Sequence, residues 1–301
     1  MREPPSSQQG WGYALGLLGV FIFSLTLPMT RLAVGDVSAP QLPPAFVTAG
    51  RASGAGLLSV GWLLWRRAAW PPRHLWGAVA ICAMGTVLGF PLFLALALRE
   101  VPSVHAAVIT GVLPLATAVA AAVLLRQTAR PVFWGFASLG CLLVMGFAVL
   151  QGGGHLSRSD LLLLAAVACA AVGYVYGAKV TAALSAEEAI CWVLVLSWPF
   201  SAALTVWMWP ADLAHVSASS WGAFAYVTVF SMWLGFFAWY RGLALGGVMR
   251  VSQVQLLQPF ISLLAAVPLL GEGLEPLTVV FMLAVAGVVY AGKRASARPP
   301  R

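Results

Sequence analysis

Runs of about twenty apolar residues recur along the whole chain, and a run of that length is what a helix needs to cross a hydrocarbon core of about 30 Å. Ten such runs can be marked between charges and Pro/Gly turns, at residues 11–31, 44–65, 76–98, 102–125, 132–150, 160–179, 187–209, 221–243, 248–270 and 276–292. Of the 301 residues 61% are hydrophobic and 9% charged, and the mean hydropathy is +0.90, which excludes an ordinary soluble domain. The expected fold is an all-α membrane protein. The first run is too long for a cleavable signal, and no basic stretch precedes it and no small-residue cleavage pattern follows it, so it is expected to stay in the chain.

The chain is basic, with a formal charge of +8 and a pI near 9.9. These charges sit between apolar runs rather than in a basic patch of a soluble fold, so a nucleic-acid partner is excluded. Lys and Arg mark the cytoplasmic loops of a membrane protein. With the N-terminus inside, that side receives Arg2, Arg66, Arg67, Arg73, Arg126, Arg130, Lys179, Arg241, Arg250, Lys293, Arg294, Arg298 and Arg301. The other side receives Arg31, Arg99 and Arg158. Thirteen against three predicts both termini in the cytoplasm. Fifteen Arg against two Lys, with abundant Ala, points to a GC-rich bacterial genome and so to a bacterial inner membrane.

Cys82, Cys141, Cys169 and Cys191 fall singly inside predicted spans, without metal spacing or a disulfide framework. They read as small apolar packing residues, and no metal or cofactor is expected.

The stretch "LGFPLFLALALREVPSVHAAVITGVLPLATAVAAAVLL" from residue 88 can be laid over "LGFFAWYRGLALGGVMRVSQVQLLQPFISLLAAVPLL" from residue 234. LGF, LAL, a central proline (Pro114 and Pro259) and a terminal LL keep nearly the same spacing. The match pairs spans three and four with spans eight and nine. Two five-helix halves follow: residues 1–150 after a short cytoplasmic tail, and 160–292, with 151–159 as linker and 293–301 as a basic cytoplasmic tail. Because five is odd, the second half enters the membrane in the opposite sense, as an inverted repeat.

Ten spans in a 5+5 arrangement, Arg51 within "FVTAGRASGAGLL", the "LALREVPSVHAAVITGVLPLATAVAAAVLL" stretch and the "QLLQPFISLLAAVPLLGEGL" stretch together resemble the EamA-type members of the drug/metabolite transporter superfamily. The resemblance covers almost the whole chain. The family's proline followed about thirteen residues later by Glu in a Gly-Glu turn matches at Pro259 and Glu272. At the corresponding place of the first half stands Gln127, a departure that removes the carboxylate there. The resemblance implies a secondary transporter of the cytoplasmic membrane, often an exporter of metabolites or amino acids.

The residues add chemistry to that expectation. Gln255, Gln258 and Ser262 recur at i, i+3 and i+7 and share a helical face, while Gln253 points elsewhere. The Pro259 ring crowds the carbonyl of Gln255, so a kink with a freed acceptor is expected at mid-membrane depth. Lipid cannot satisfy such groups, so the face turns toward protein or water. Span four offers Thr110, Pro114 and Thr117 at comparable places, and paired interrupted helices in inverted halves point to a central site. The competing reading is that the glutamines cross-link neighbouring helices.

Arg51 lies about eight residues inside span two, too deep for easy snorkelling. A charge there needs a partner. Three are open: a substrate carboxylate or phosphate, Glu100 from the outer end of spans three and four, or freed backbone carbonyls. Most tryptophans fall near span ends and read as an interfacial belt, whereas Tyr174, Trp233 and Phe237 lie deeper, placed to stack on a solute. For proton coupling the candidates are His105 and Glu272, each near the outer end of its span. The partners expected are thus a small-molecule substrate and the bilayer; monomer and homodimer stay open. An intramembrane enzyme is the rival class, yet HExxH, GxSxG and GxxxxGK[ST] are all missing from the sequence, and His105 with Glu100 is the nearest thing to a dyad. A non-transporting scaffold is the third reading, favoured if the glutamine face is packed and dry.

Overall fold

Serine, proline and glycine punctuation sets where the helices begin and end. The computed structural model describes residues 6–126, 131–151, 153–246 and 251–296, and every regular element in it is helical. The helices are α1 (Ser6–Ser24), α2 (Thr26–Val34), α3 (Pro44–Arg66), α4 (Trp76–Cys82), α5 (Phe90–Ala97), α6 (Ser103–Thr110), α7 (Leu113–Leu124), α8 (Pro131–Gln151), α9 (Arg158–Thr181), α10 (Ala186–Trp207), α11 (Ala218–Tyr226), α12 (Gly235–Gly246), α13 (Gln258–Leu270) and α14 (Pro276–Ser296). Ser157 with Asp160 and Ser185 with Glu188 form capping boxes that start α9 and α10, satisfying backbone donors which lipid would leave bare. Proline stands at the first position of α3, where its missing N–H costs nothing, and Gly271 ends α13 in a left-handed conformation, φ 67°.

Joined end to end, these pieces form rods. Among the described residues seven are long and apolar enough to cross a membrane: Gly10–Val34, Arg73–Ala97, Ser103–Leu124, Trp134–Gln151, Arg158–Thr181, Ala186–Trp207 and Ala218–Leu245. Two shorter apolar rods, Val254–Leu270 and Pro276–Gly292, follow. Helix α3 has 23 residues but is diluted by Arg51, Ser53, Ser59 and its glycines.

Three rods are interrupted, and each break has a proline just behind it. Pro28, Pro114 and Pro259 cannot donate to the carbonyls of Ser24, Thr110 and Gln255 four residues earlier, and each ring crowds the same carbonyl. The chain accordingly breaks at Leu25, at Gly111–Val112 and at the 3-10 segment Ser252–Leu257. The first rod therefore runs on to Val34 with a mid-rod break, where an unbroken span ending at 31 is expected from hydropathy. The start of the expected 248–270 span lies outside the described residues. Two further irregularities have no sequence signal: π-helical stretches at Ala83–Gly89 and Val227–Leu234, each running into the LGF motif.

Packing follows the same pairing. α1 lies along α12, the α4–π stretch along α9, α3 along α10, and α8 along α14. α7 also packs on α9, and α13 on α1 and α6. Glycines allow the closest crossings: a Cβ on Gly242 would stand 2.6 Å from the Gly16 nitrogen, and one on Gly85 2.9 Å from the Cα of Gly173. Backbones meet there directly, as small residues permit in membrane bundles. Outside the bundle, Leu18, Phe21, Leu57, Leu142 and Leu283 are exposed, the surface a lipid-facing protein carries. Trp65 and Trp207 stand exposed at the ends of α3 and α10.

Candidate functional site

The three interruptions and both π-helical stretches converge at mid-depth, around a pocket of about 70 Å³. Arg51, Thr110, Pro114, Tyr174, Gln255, Gln258, Pro259 and Ser262 line it, with Phe23, Thr26, Thr86, Phe90, Ser231 and Phe236. Below it opens a vestibule of about 970 Å³ between the ends of α3 and α12 and the segment from Ala178 to Glu187, with Trp62, Trp65, Arg66 and Arg241 at its walls. Phe23, Tyr174, Phe236 and Gln255 border both spaces, so the vestibule and the pocket adjoin across these four side chains.

Two residues expected at such a site lie outside the pocket's lining. Thr117 donates to the Leu113 carbonyl of its own helix (2.8 Å), a full turn beyond the pocket. Trp233 packs against Phe237, ring centroids 4.9 Å apart, and turns into the core between α3 and α10. Phe237 lines the vestibule.

Inside the pocket the polar groups differ in how committed they are. Thr110 donates to the Ala106 carbonyl (2.7 Å). Ser262 has its proton committed, its hydroxyl donating to the Ser24 carbonyl, the acceptor that Pro28 leaves without an N–H, so toward the pocket it can only accept. The Gln255 carbonyl is not free as expected. A 3-10 turn brings the Gln258 N–H onto it, so the backbone repairs its own break. The side-chain amides of Gln255 and Gln258 have no hydrogen-bond partner among the described residues and border the cavity, so they are available to a solute.

Arg51 is 3% exposed. Its Nη2 donates to the Ser231 hydroxyl (3.1 Å), and Ser231 in turn shares a hydrogen bond with Thr26 (2.8 Å). Nε and Nη1 have no hydrogen-bond partner among the described residues. Glu100, one of the three partners open from sequence, is bound instead by the Ser159 hydroxyl. Nor does any hydrogen bond join Arg51 to a backbone carbonyl among the described residues.

The face opposite the vestibule is tied shut. Glu272, at the end of α13, accepts from the Ser103 N–H (2.7 Å), the Val104 N–H (2.9 Å) and the Ser103 hydroxyl (3.0 Å), capping α6. His105 Nε2 lies 2.7 Å from Asp160 Oδ1, both groups largely buried. Arg31 donates to the Leu98 carbonyl, Gln151 to Glu275 (3.0 Å), and the Ser217 N–H to Gln41 (2.8 Å). In the loop there, the Ser38 hydroxyl and then the Ala39 N–H hold the Asp36 carboxyl below the usual range. His105 thus pairs with Asp160 and not with Glu100, and both engage in closure. Asp160 escaped notice although its signal, Ser157 three residues before it, is a capping-box pattern. Ser231 and Thr26 carry no such signal, because isolated hydroxyls in apolar runs are common.

Comparison with known proteins adds the relatives. The model of the EamA-like transporter family matches residues 10–149 and again 157–291. The chain is 43% identical over 283 residues to YdeK of Bacillus subtilis (strain 168), described as an uncharacterized transporter, covering 94% of this chain and 97% of that protein. A solved crystal structure at 21% identity superposes with a TM-score of 0.60 over 95% of this chain and 97% of its own, a likeness of fold.

Proposed function

Since the chain belongs to the EamA-like transporter family, we propose that it is a secondary carrier that moves a small metabolite by alternating access, as an exporter of the bacterial cytoplasmic membrane. The observation that carries this reading is a vestibule on the basic face that adjoins a pocket among interrupted helices, while the Glu272 and His105 contacts tie the face beyond. A carrier caught open to one side has this geometry, and discontinuous helices commonly frame the central site.

In this reading ten membrane helices form two inverted halves, 1–150 and 160–292, with both termini cytoplasmic. The contact pattern supports the inversion: exchanging each span for the one five places on turns α1 against α12 into α9 against α5, and α13 against α1 into α7 against α9. The twofold family match supports it too. Arg51, Thr110, Tyr174, Gln255, Gln258 and Ser262 form the solute site, and Pro114 and Pro259 set the kinks. Glu272 and His105 are the proton-coupling candidates, because both hold the closed face and both change hydrogen-bonding capacity on gaining a proton. A solute loading from the cytoplasm enters the vestibule that the basic loops surround, which favours export.

Uptake and efflux of a labelled amino-acid and metabolite panel in proteoliposomes, with and without a pH gradient, tests the reading. Flux that falls at least tenfold in a well-folded Gln258→Leu variant supports it. Wild-type flux of no solute would return weight to an enzyme or scaffold.

A further inference from the structure

We infer that the transported solute carries an oxyanion, a carboxylate or phosphate, received at the Arg51 wall of the pocket; this rests on the carrier reading above. A guanidinium stays charged at any physiological pH, and at mid-depth it needs compensation. The described residues supply no carboxylate beside it. None of the residues that line the pocket is acidic. Among the described residues Asp36, Glu100, Asp160, Glu187, Glu188, Asp212, Glu272 and Glu275 all stand in loops or within the first or last turns of helices, near one face or the other. Of Arg51's three nitrogens only Nη2 has a partner, and that partner, Ser231, is neutral.

Hydrogen-bond polarity points the same way. Arginine only donates, so Ser231 accepts from it. Ser231 and Thr26 share one hydrogen bond between two hydroxyls, so one of their two protons remains to be donated. Both residues line the pocket beside Arg51. The wall therefore presents a buried positive charge with a spare hydroxyl donor, a set that complements an oxyanion and repels an ammonium group. Phe23, Phe90 and Phe236 line the rest and suit an apolar remainder. For an oxyanion seated about 6 Å from that charge, at an effective dielectric of about 20, the attraction would correspond to on the order of a hundredfold in Kd over a neutral isostere. Desolvation of the ligand lowers that, so tenfold is the threshold.

The test is thermal-stabilisation titration of the purified full chain with matched probes: phenylacetate, phenylacetamide, phenethylamine and phenyl phosphate, and an aliphatic carboxylate–amide–amine series of three to six carbons. Tenfold or tighter binding of carboxylate over its amide is expected, with the amine weakest; phenyl phosphate against phenylacetate then tells which oxyanion is preferred. Arg51→Gln is expected to bring acid and amide within threefold of each other. Should that variant fold poorly, Ser231→Asp gives the guanidinium an internal partner. It is expected to melt higher than wild type and yet lose the preference. An amide or amine that binds wild type as tightly as the acid overturns the oxyanion inference and leaves the carrier reading standing, as does a preference that survives Ser231→Asp. Binding of no probe at all overturns the pocket as a solute site, and this inference with it.

Discussion

The two faces of the molecule are held by different physics. On the closed face a carboxylate caps a helix from another rod, a buried imidazole meets a buried carboxylate, and the contacts are short and shielded. On the open face the one ion pair among the described residues is Arg241 with Glu187, 3.6 Å apart and with the arginine mostly exposed. Charge-assisted hydrogen bonds out of water are worth about 1.5–3 kcal/mol each, exposed pairs about 0–1. Among the described residues the short, shielded contacts are thus gathered on one side, and the other side has nothing comparable.

That contrast can be broken from either face. The largest effect is expected from Glu272→Ala, which strands the Ser103 and Val104 N–H groups and should shift the balance toward an open outer face by on the order of a hundredfold. Labelling of a pocket cysteine by an impermeant maleimide added outside measures it, and unchanged labelling would remove Glu272 from the seal. Next, Gln258→Leu and Gln255→Leu should each cut flux at least tenfold while leaving the melting temperature within a few degrees. A drop in stability instead of flux would make the glutamines helix cross-links. His105→Ala should raise outer accessibility several-fold, and Asp160→Ala should do the same while also lowering stability by about 1 kcal/mol, because Asp160 belongs to the α9 capping box. Equal melting temperatures for the two would contradict that double role. Smallest, Glu187→Gln should change flux and stability less than twofold, and a large effect would mean that the open face has a lock of its own.

Much of the architecture was legible because bilayer thickness dictates rod length, and a polar face at i, i+3 and i+7 cannot be left in lipid. Arg51 and Tyr174 could be singled out by depth and the two glutamines by their shared helical face, and all four line the pocket. What depth cannot report is direction. Trp233 turns away into the core, because rotation about a helix axis is set by neighbours, and Thr117 stands a turn beyond the pocket. The π-helical stretches were invisible for a related reason: inserting one residue per turn depends on what packs against the rod, here α9 and α3, and not on local propensity. Pro28 carried a legible break signal, yet its outcome, a carbonyl answered by Ser262 from 238 residues away, is a tertiary fact.

The glycine crossings carry one more consequence. Where Gly16 meets Gly242, and Gly85 meets Gly173, backbone stands against backbone, with the Thr86 methyl set against Gly173 in the second seam. Helices joined through meshed side chains tilt only by changing rotamers, whereas rods touching backbone to backbone are free to pivot with their side-chain geometry intact. The two seams lie in two of the cross-half pairings, and a bulky residue at Gly242 or Gly85 would force the rods apart without touching the pocket's lining.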